Sequence, residues 1–131
     1  MNEAYVRVRY AETDQFGVVY FGNYFTYFEV SRGEFFRKVV GMSYREVEEK
    51  GLFFVVVEAC CRYLKPARYD EVLRIETRLV KIGSKSMEFV HRVYRDDVLI
   101  AEGREVLVSV DRNGKATPLP EWLLKRVKPG G

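Results

Sequence analysis

Asp14 is the residue in this sequence best placed to do chemistry. It stands in the segment YAETDQFGVVYFGNY, residues 10–24, where Gly17 permits a tight backbone and Gly22-Asn23 lead into a predicted helix. Free backbone N–H groups at a helix start form a ready site for negative charge. A carboxylate beside such a start is the minimum equipment for acyl transfer. The N–H groups stabilise the oxyanion of a tetrahedral intermediate, and the carboxylate attacks the carbonyl or activates a water. A thioester suits so weak a nucleophile, because thiolate leaves easily. Asp also caps turns in ordinary loops, so the residue type alone leaves both readings open.

The elements that must position Asp14 are legible from periodicity. Residues 4–10 alternate Val6 and Val8 with Arg7 and Arg9, as in a half-buried strand. Asn23 is placed to cap a helix running to about Val40, and Gly41 to end it. Tyr24, Phe28, Ser31, Phe35 and Val39 follow helical spacing, joined by Phe25 and Phe36 in a broad aromatic face. Gly33 costs such a helix about 1 kcal/mol relative to Ala, which a close approach to a sheet would offset. Residues 43–50 read as a short polar helix. Strands are predicted over 52–63, 71–82, 85–95 and 98–110, followed by an Asn113-Gly114 turn and one helical turn near Trp122. In 71–82, Leu73, Ile75, Thr77 and Leu79 share a face opposite Arg74, Glu76 and Arg78. One long helix followed by strands on short turns indicates an α+β domain, residues 1–131, with a largely antiparallel five-stranded sheet curled around the helix.

Composition excludes several classes. Hydrophobic residues are 47%, enough for a core, and the net charge of +3 comes from interspersed acids and bases, unlike a nucleic-acid protein. The charged N-terminal segment lacks the apolar run of a signal peptide. No stretch reaches the ~18 apolar residues of a membrane span. The adjacent Cys60 and Cys61 lack metal or redox spacing and read as buried thiols in a strand of a cytoplasmic protein. Charged residues at 31%, with a single Gln, resemble the usage of heat-loving organisms. His91 lies in a strand without nearby metal ligands and reads as structural, while Glu29 and Arg32 are spaced for a helical ion pair or substrate contacts.

The segment YAETDQFGVVYFGNYFTYFEVSR, residues 10–32, resembles the signature of the 4-hydroxybenzoyl-CoA thioesterase family. Its nearest look is the branch of short-chain acyl-CoA thioesterases associated with the Tol–Pal system. The likeness continues through YLKPARYDEVLRIET, residues 63–77, and covers nearly the whole chain. The resemblance implies a hotdog fold, a homodimer or homotetramer, no cofactor or metal, and coenzyme A thioesters as substrates, with a short-chain or aromatic acyl group. It implies Asp14 as nucleophile or general base and the Phe21 backbone N–H as the polariser of the thioester carbonyl. Tyr10 matches a Tyr that accompanies the Asp in the Tol–Pal branch. Phe21 stands where that branch has His, a departure that leaves the backbone role intact. Gly17, Tyr20 and Tyr24 belong to the same signature as substrate-binding positions. Phe16, Tyr20, Phe53 and Phe54 could line an acyl pocket. Lys85 and Ser86, in the turn KIGSKS at residues 81–86, match a nucleotide-contacting region, and Arg62, Lys65 and Arg68 are further candidates for the phosphates. The alternatives are a non-catalytic acyl-CoA binding module and a hotdog dehydratase or isomerase. The second would want a His–carboxylate pair.

Overall fold

The aromatic spacing after Gly22 produces α1, Asn23–Phe35, which a five-residue π turn, Phe36–Val40, extends to Gly41. Gly41 adopts φ +83° and donates its N–H to the Phe36 carbonyl, closing the helix. The wide turn moves the last core position by one residue. Val40 is 1% exposed, whereas Val39, predicted on the core face, is at the surface. Asn23 is the first helical residue and not the cap. Its side chain donates to the Glu12 carbonyl at 2.9 Å and so fastens the preceding loop to the helix.

In the computed structural model, which describes residues 1–130, the strands are β1 Asn2–Arg7, β2 Phe53–Tyr63, β3 Val72–Ile82, β4 Ser86–Arg95 and β5 Val98–Val110. They form one antiparallel sheet in the order β1-β3-β4-β5-β2, wrapped around α1. β1 begins two residues earlier than predicted and ends three residues earlier, because Tyr10–Glu12 turn into a 3-10 helix. Short helices α2, Tyr44–Glu49, and α3, Glu121–Leu124, close the far end, and Ser43 and Glu46 cap α2 reciprocally. The alternation of β3 and β4 holds: Leu73, Ile75, Thr77 and Leu79, with Met87, Phe89, His91 and Val93, face the helix fully buried. Burial of Phe28, Phe35 and Phe36, at roughly 1.5–3 kcal/mol each, outweighs the cost of Gly33. A Cβ on Gly33 would meet only an Arg37 nitrogen at 3.5 Å, so that glycine does not serve helix–sheet approach.

Gly103 does. A Cβ there would overlap the Phe28 ring and come 2.9 Å from the Cys60 carbonyl oxygen. Gly103→Ala is therefore expected to cost ~1–3 kcal/mol through overpacking. Urea unfolding at fixed protein concentration measures it, and an unshifted midpoint would contradict the tight contact.

Two apolar clusters lie along the helix. One packs Val8, Val19, Tyr24, Tyr27, Phe28 and Ala67 near the chain start; the other packs Phe35, Phe36, Val47, Leu79, Phe89 and Leu123 at the far end. Between them runs a buried polar layer. Arg32 of α1 donates to Glu105 at 2.6 Å, and His91 Nε2 donates to the same carboxylate oxygen at 2.7 Å. His91 Nδ1 then accepts from Thr77 at 2.8 Å, and Thr77 pairs with Ser31. Arg32 thus pairs across 73 residues with Glu105 and not with Glu29. Burial holds the His91 pKa below the ordinary histidine value, against the pull of Glu105. Burial alone would raise Glu105, but the His91 hydrogen bond and the Arg32 charge hold it below the usual carboxylate range. The imidazole is therefore neutral, stacked on Phe28 at 4.5 Å between ring centroids, and structural as read.

Cys60 and Cys61 are not buried. β2 is an edge strand, so Cys60 is exposed and Cys61 half-covered. Among the described residues no helix is long and apolar enough to cross a membrane.

Candidate active site

Asp14 sits where the chain reverses between β1 and α1. Its N–H donates to the Val18 carbonyl, its carbonyl accepts from Gly17, and Gly17 takes φ +77° to close the turn. One carboxylate oxygen, Oδ1, accepts from the Phe16 N–H at 2.9 Å. Asp14 therefore does hold a turn, with one oxygen; the other has no protein partner among the described residues. Bridges from Thr13 to Val19 and from Val18 to Arg68 fix the loop against the segment after β2.

Glu12 is the clasp of this loop. It accepts from the Arg9 N–H and the Tyr27 hydroxyl with its carboxylate, and from the Tyr20 N–H and the Asn23 amide with its carbonyl. The result holds Tyr20 and Phe21 at the helix start. Gly22 follows with helical φ and ψ. Among the described residues, the Phe21 and Gly22 N–H groups donate to no protein acceptor, as expected for the first donors of a helix. The Phe21 carbonyl accepts from the Tyr63 hydroxyl at 2.9 Å, and the two rings meet edge-to-face. Tyr63 so fixes the Phe21–Gly22 peptide and the direction of its N–H.

A cleft of about 350 Å³ opens here, lined by Asp14, Val18, Val19, Tyr20, Phe21, Tyr24, Tyr63, Leu64, Lys65 and Pro66. Burial pushes the phenols of Tyr24 and Tyr63 up to about 12, so both stay neutral and act as walls and hydrogen-bond donors, not as bases. A second cleft on the other side of Asp14 shares Asp14 and Tyr20 and adds Tyr10, Ala11, Thr13, Gln15 and Asn23. The arrangement offers a partly free carboxylate, a pair of unpaired N–H donors and apolar walls in one place. These are the parts that acyl transfer needs. Among the described residues no group of three or more His, Cys, Asp or Glu could hold a metal ion.

Residues 8–127 match the family model of the thioesterase-like superfamily. The chain belongs to that superfamily. Among its relatives, the acyl-CoA thioester hydrolase YbgC of Escherichia coli is 33% identical over 125 residues, 94% of this chain and 92% of that protein. Among solved structures, a hypothetical protein of Aquifex aeolicus superposes with a TM-score of 0.92 at 34% identity, covering 96% of this chain and 98% of its own. A thioesterase of Thermus thermophilus, solved with coenzyme A and zinc, superposes at 0.83 with 28% identity over 96% of this chain and 90% of its own. The fold is the hotdog fold of these thioesterases.

In this superfamily member, Tyr10, Asp14, Tyr20, Phe21, Tyr24 and Lys65 line the joined clefts, and Gly17 shapes the turn beneath them. Other candidates lie elsewhere within the subunit. Arg62 is on the outer sheet face, paired with Glu102 at 3.0 Å. Lys85 and Ser86 lie at the opposite end of β3, whose 11 residues at about 3.3 Å each place them roughly 30 Å from the Asp14 loop. There, the Lys85 carbonyl accepts from Ser109. Phe54 packs with Phe36 in the far cluster, and Phe53 stands beside Arg112, so neither lines the Asp14 cleft. Tyr63 was not singled out in the sequence, although it opens the second segment that resembles the family.

Proposed function

We propose that this chain hydrolyses the thioester of a short-chain or aromatic acyl-CoA to the free acid and coenzyme A. The observation that carries the reading is the shared cleft of Asp14 and the helix start, where the N–H groups of Phe21 and Gly22 lack protein acceptors. The acyl group lies against Tyr20, Phe21, Tyr24 and Tyr63. Its carbonyl oxygen receives the Phe21 N–H and becomes the oxyanion there. Asp14 attacks the carbonyl carbon or takes a proton from attacking water, with Tyr10 as a neighbouring wall of the site. The collapsing intermediate expels the thiolate; on the nucleophilic route water then hydrolyses the acyl–Asp14 anhydride, releasing the free acid and restoring the carboxylate. Thiol release from acetyl-, hexanoyl- and benzoyl-CoA, followed with a thiol reagent, tests this. Binding of these thioesters without thiol release would leave the non-catalytic binding module in its place.

The active form is proposed to be a homodimer or homotetramer in the cytoplasm. β2 leaves one edge unpaired, and Val55, Val56 and Val57 on it are 44%, 46% and 55% exposed in the subunit. An apolar edge of this length invites pairing, and a two-fold axis satisfies both copies at once. Light scattering of active enzyme is expected to give at least twice the 15.4 kDa subunit mass. A monomer mass with full activity would contradict it.

A further inference from the structure

The peptide planes at the start of α1 decide where its free donors point. Two N–H groups there, those of Phe21 and Gly22, donate to no protein acceptor among the described residues. Each belongs to a peptide whose carbonyl is tied down. The Phe21 N–H shares its peptide with the Tyr20 carbonyl, which accepts from the Asn23 N–H at 2.9 Å. The Gly22 N–H shares its peptide with the Phe21 carbonyl, which accepts from the Tyr63 hydroxyl at 2.9 Å. We propose that Tyr63 is a positioning residue for the thioester: its hydroxyl holds the Phe21–Gly22 peptide so that the Gly22 N–H serves as a second donor to the thioester oxygen, beside that of Phe21. The inference rests on the acyl-CoA reading above, and adds to it one donor and the side chain that aims it.

The backbone alone holds this peptide weakly. The other bond to the Phe21 carbonyl comes from the Tyr24 N–H and is long, 3.3 Å. The Phe25 N–H, four residues on and the usual helical donor, is turned to the Gly22 carbonyl, also at 3.3 Å. The short bond is therefore the one from Tyr63, on a different element. A trans peptide is planar, so a donor that fixes the carbonyl also fixes the N–H on the opposite side. Donation to the carbonyl draws charge out of the amide and strengthens its N–H as a donor in turn. Gly22 has φ −65° and ψ −22°, the conformation of a helical residue. Its N–H thus points out of the helix start with the other leading donors.

Tyr63 stands on a rigid support. It is the last residue of β2, paired with Ala101 of β5. The next two N–H groups, of Leu64 and Lys65, both donate to the Ile100 carbonyl, at 2.9 and 3.0 Å. The ring meets the buried Tyr24 edge-on at 5.2 Å between centroids, and Phe21 edge-on at 6.3 Å. The sheet therefore delivers the hydroxyl to the helix start, and side-chain packing locks its direction. A phenol carries one proton. Here that proton is committed to the Phe21 carbonyl, and burial keeps it on the oxygen by raising the pKa to about 12. Tyr63 reaches the reacting carbonyl through the peptide and not by direct donation.

Tyr63→Phe keeps the ring and removes only the hydroxyl. It is expected to lose about tenfold in kcat on acetyl-CoA, with KM changed by less than about twofold. A loss confined to KM, or no loss, would overturn the proposal. A spectroscopic readout separates aiming from mere support. Asp14→Asn holds benzoyl-CoA unhydrolysed, and infrared difference spectra of an isotope-labelled thioester carbonyl report how strongly its oxygen is hydrogen-bonded. The stretch is expected below that of free benzoyl-CoA, and Tyr63→Phe in the same background is expected to return part of the shift. An equal shift with and without the hydroxyl would refute the positioning role. Gly22 supplies an independent arm. Gly22→Ala keeps the N–H, and its Cβ would meet the Tyr20 ring at an ordinary 3.6 Å. Gly22→Pro deletes the N–H at a φ that proline adopts. Folded Gly22→Pro is expected to turn over at least about tenfold more slowly than Gly22→Ala. Equal turnover would remove Gly22 as a donor and the proposal with it. If Gly22→Pro does not fold, the kinetics and spectra of Tyr63→Phe decide alone. The thioesterase reading fails separately. A wild type that releases no thiol, yet shifts the bound carbonyl in a Tyr63-dependent way, sinks hydrolysis and keeps the positioning role. A wild type that releases thiol, matched by Tyr63→Phe in kcat and in carbonyl shift, keeps hydrolysis and sinks the positioning role.

Discussion

Asp14→Asn is expected to lower kcat by ~10²-fold or more, whether the carboxylate attacks or activates water. The substitution keeps the shape and one acceptor oxygen. The Phe16 N–H bond to Oδ1, which holds the turn, can therefore persist, and so can the backbone bonds to Val18 and Gly17. What disappears is the charge on the oxygen that has no protein partner. The loss should fall on kcat with little change in KM, because ground-state contacts with the acyl chain and the nucleotide are untouched. Unfolding midpoint and oligomer mass should match wild type. A variant retaining most of its turnover would show that Asp14 is only the turn-holding residue that its Oδ1 bond makes it.

Phe21 separates a side-chain role from a backbone one. Phe21→Ala removes the ring that meets Tyr63 but keeps the N–H, so it should raise KM and leave substantial turnover. Phe21→Pro removes the N–H itself, and deleting one oxyanion donor costs on the order of 10²–10³ in rate. Proline is tolerated near a helix start. This position loses no protein hydrogen bond, because the Phe21 N–H donates to no protein acceptor among the described residues. The Tyr63 bond to the Phe21 carbonyl also remains available. Circular dichroism and mass must confirm the fold before kcat is compared on a short acyl-CoA. Equal turnover by folded Phe21→Pro and Phe21→Ala would move the oxyanion donor to another group, with Gly22 the first to examine.

Much of the fold was readable because alternation reports burial directly. Leu73 to Leu79 and Met87 to Val93 switch faces every residue, and the sheet buries what the pattern says it buries. The readings that failed depend on tertiary partners or on local geometry that periodicity does not encode. Val39 was displaced by a π turn. The close glycine is Gly103, whose need is visible only once Phe28 faces it across the sheet. Cys60 and Cys61 look like a buried apolar strand, yet that strand is the edge. Arg32 finds Glu105, a partner that helical spacing could not supply. At the site, the signature segment brought Asp14, Tyr20, Phe21 and Tyr24 to one cleft. Tyr63 escaped because its contribution is one hydrogen bond to a carbonyl 42 residues away. Lys85 stands at the far end of β3 from the Asp14 loop within one subunit, a placement that a basic turn in sequence does not encode.

The layer of Ser31, Arg32, Thr77, His91 and Glu105 acts as a register key for the helix. Sliding α1 along the sheet by one turn, about 5.4 Å, would set Phe28 or Phe35 against Glu105 and push Arg32 into hydrocarbon. Uncompensated buried charge of that kind costs several kcal/mol, far more than a shifted apolar contact. The key also divides the interior into two compartments with few shared neighbours. The Tyr24–Phe28 compartment lies under the Asp14 loop, where Tyr63 also holds the Phe21 carbonyl, so a change of that wall would reach the helix start itself.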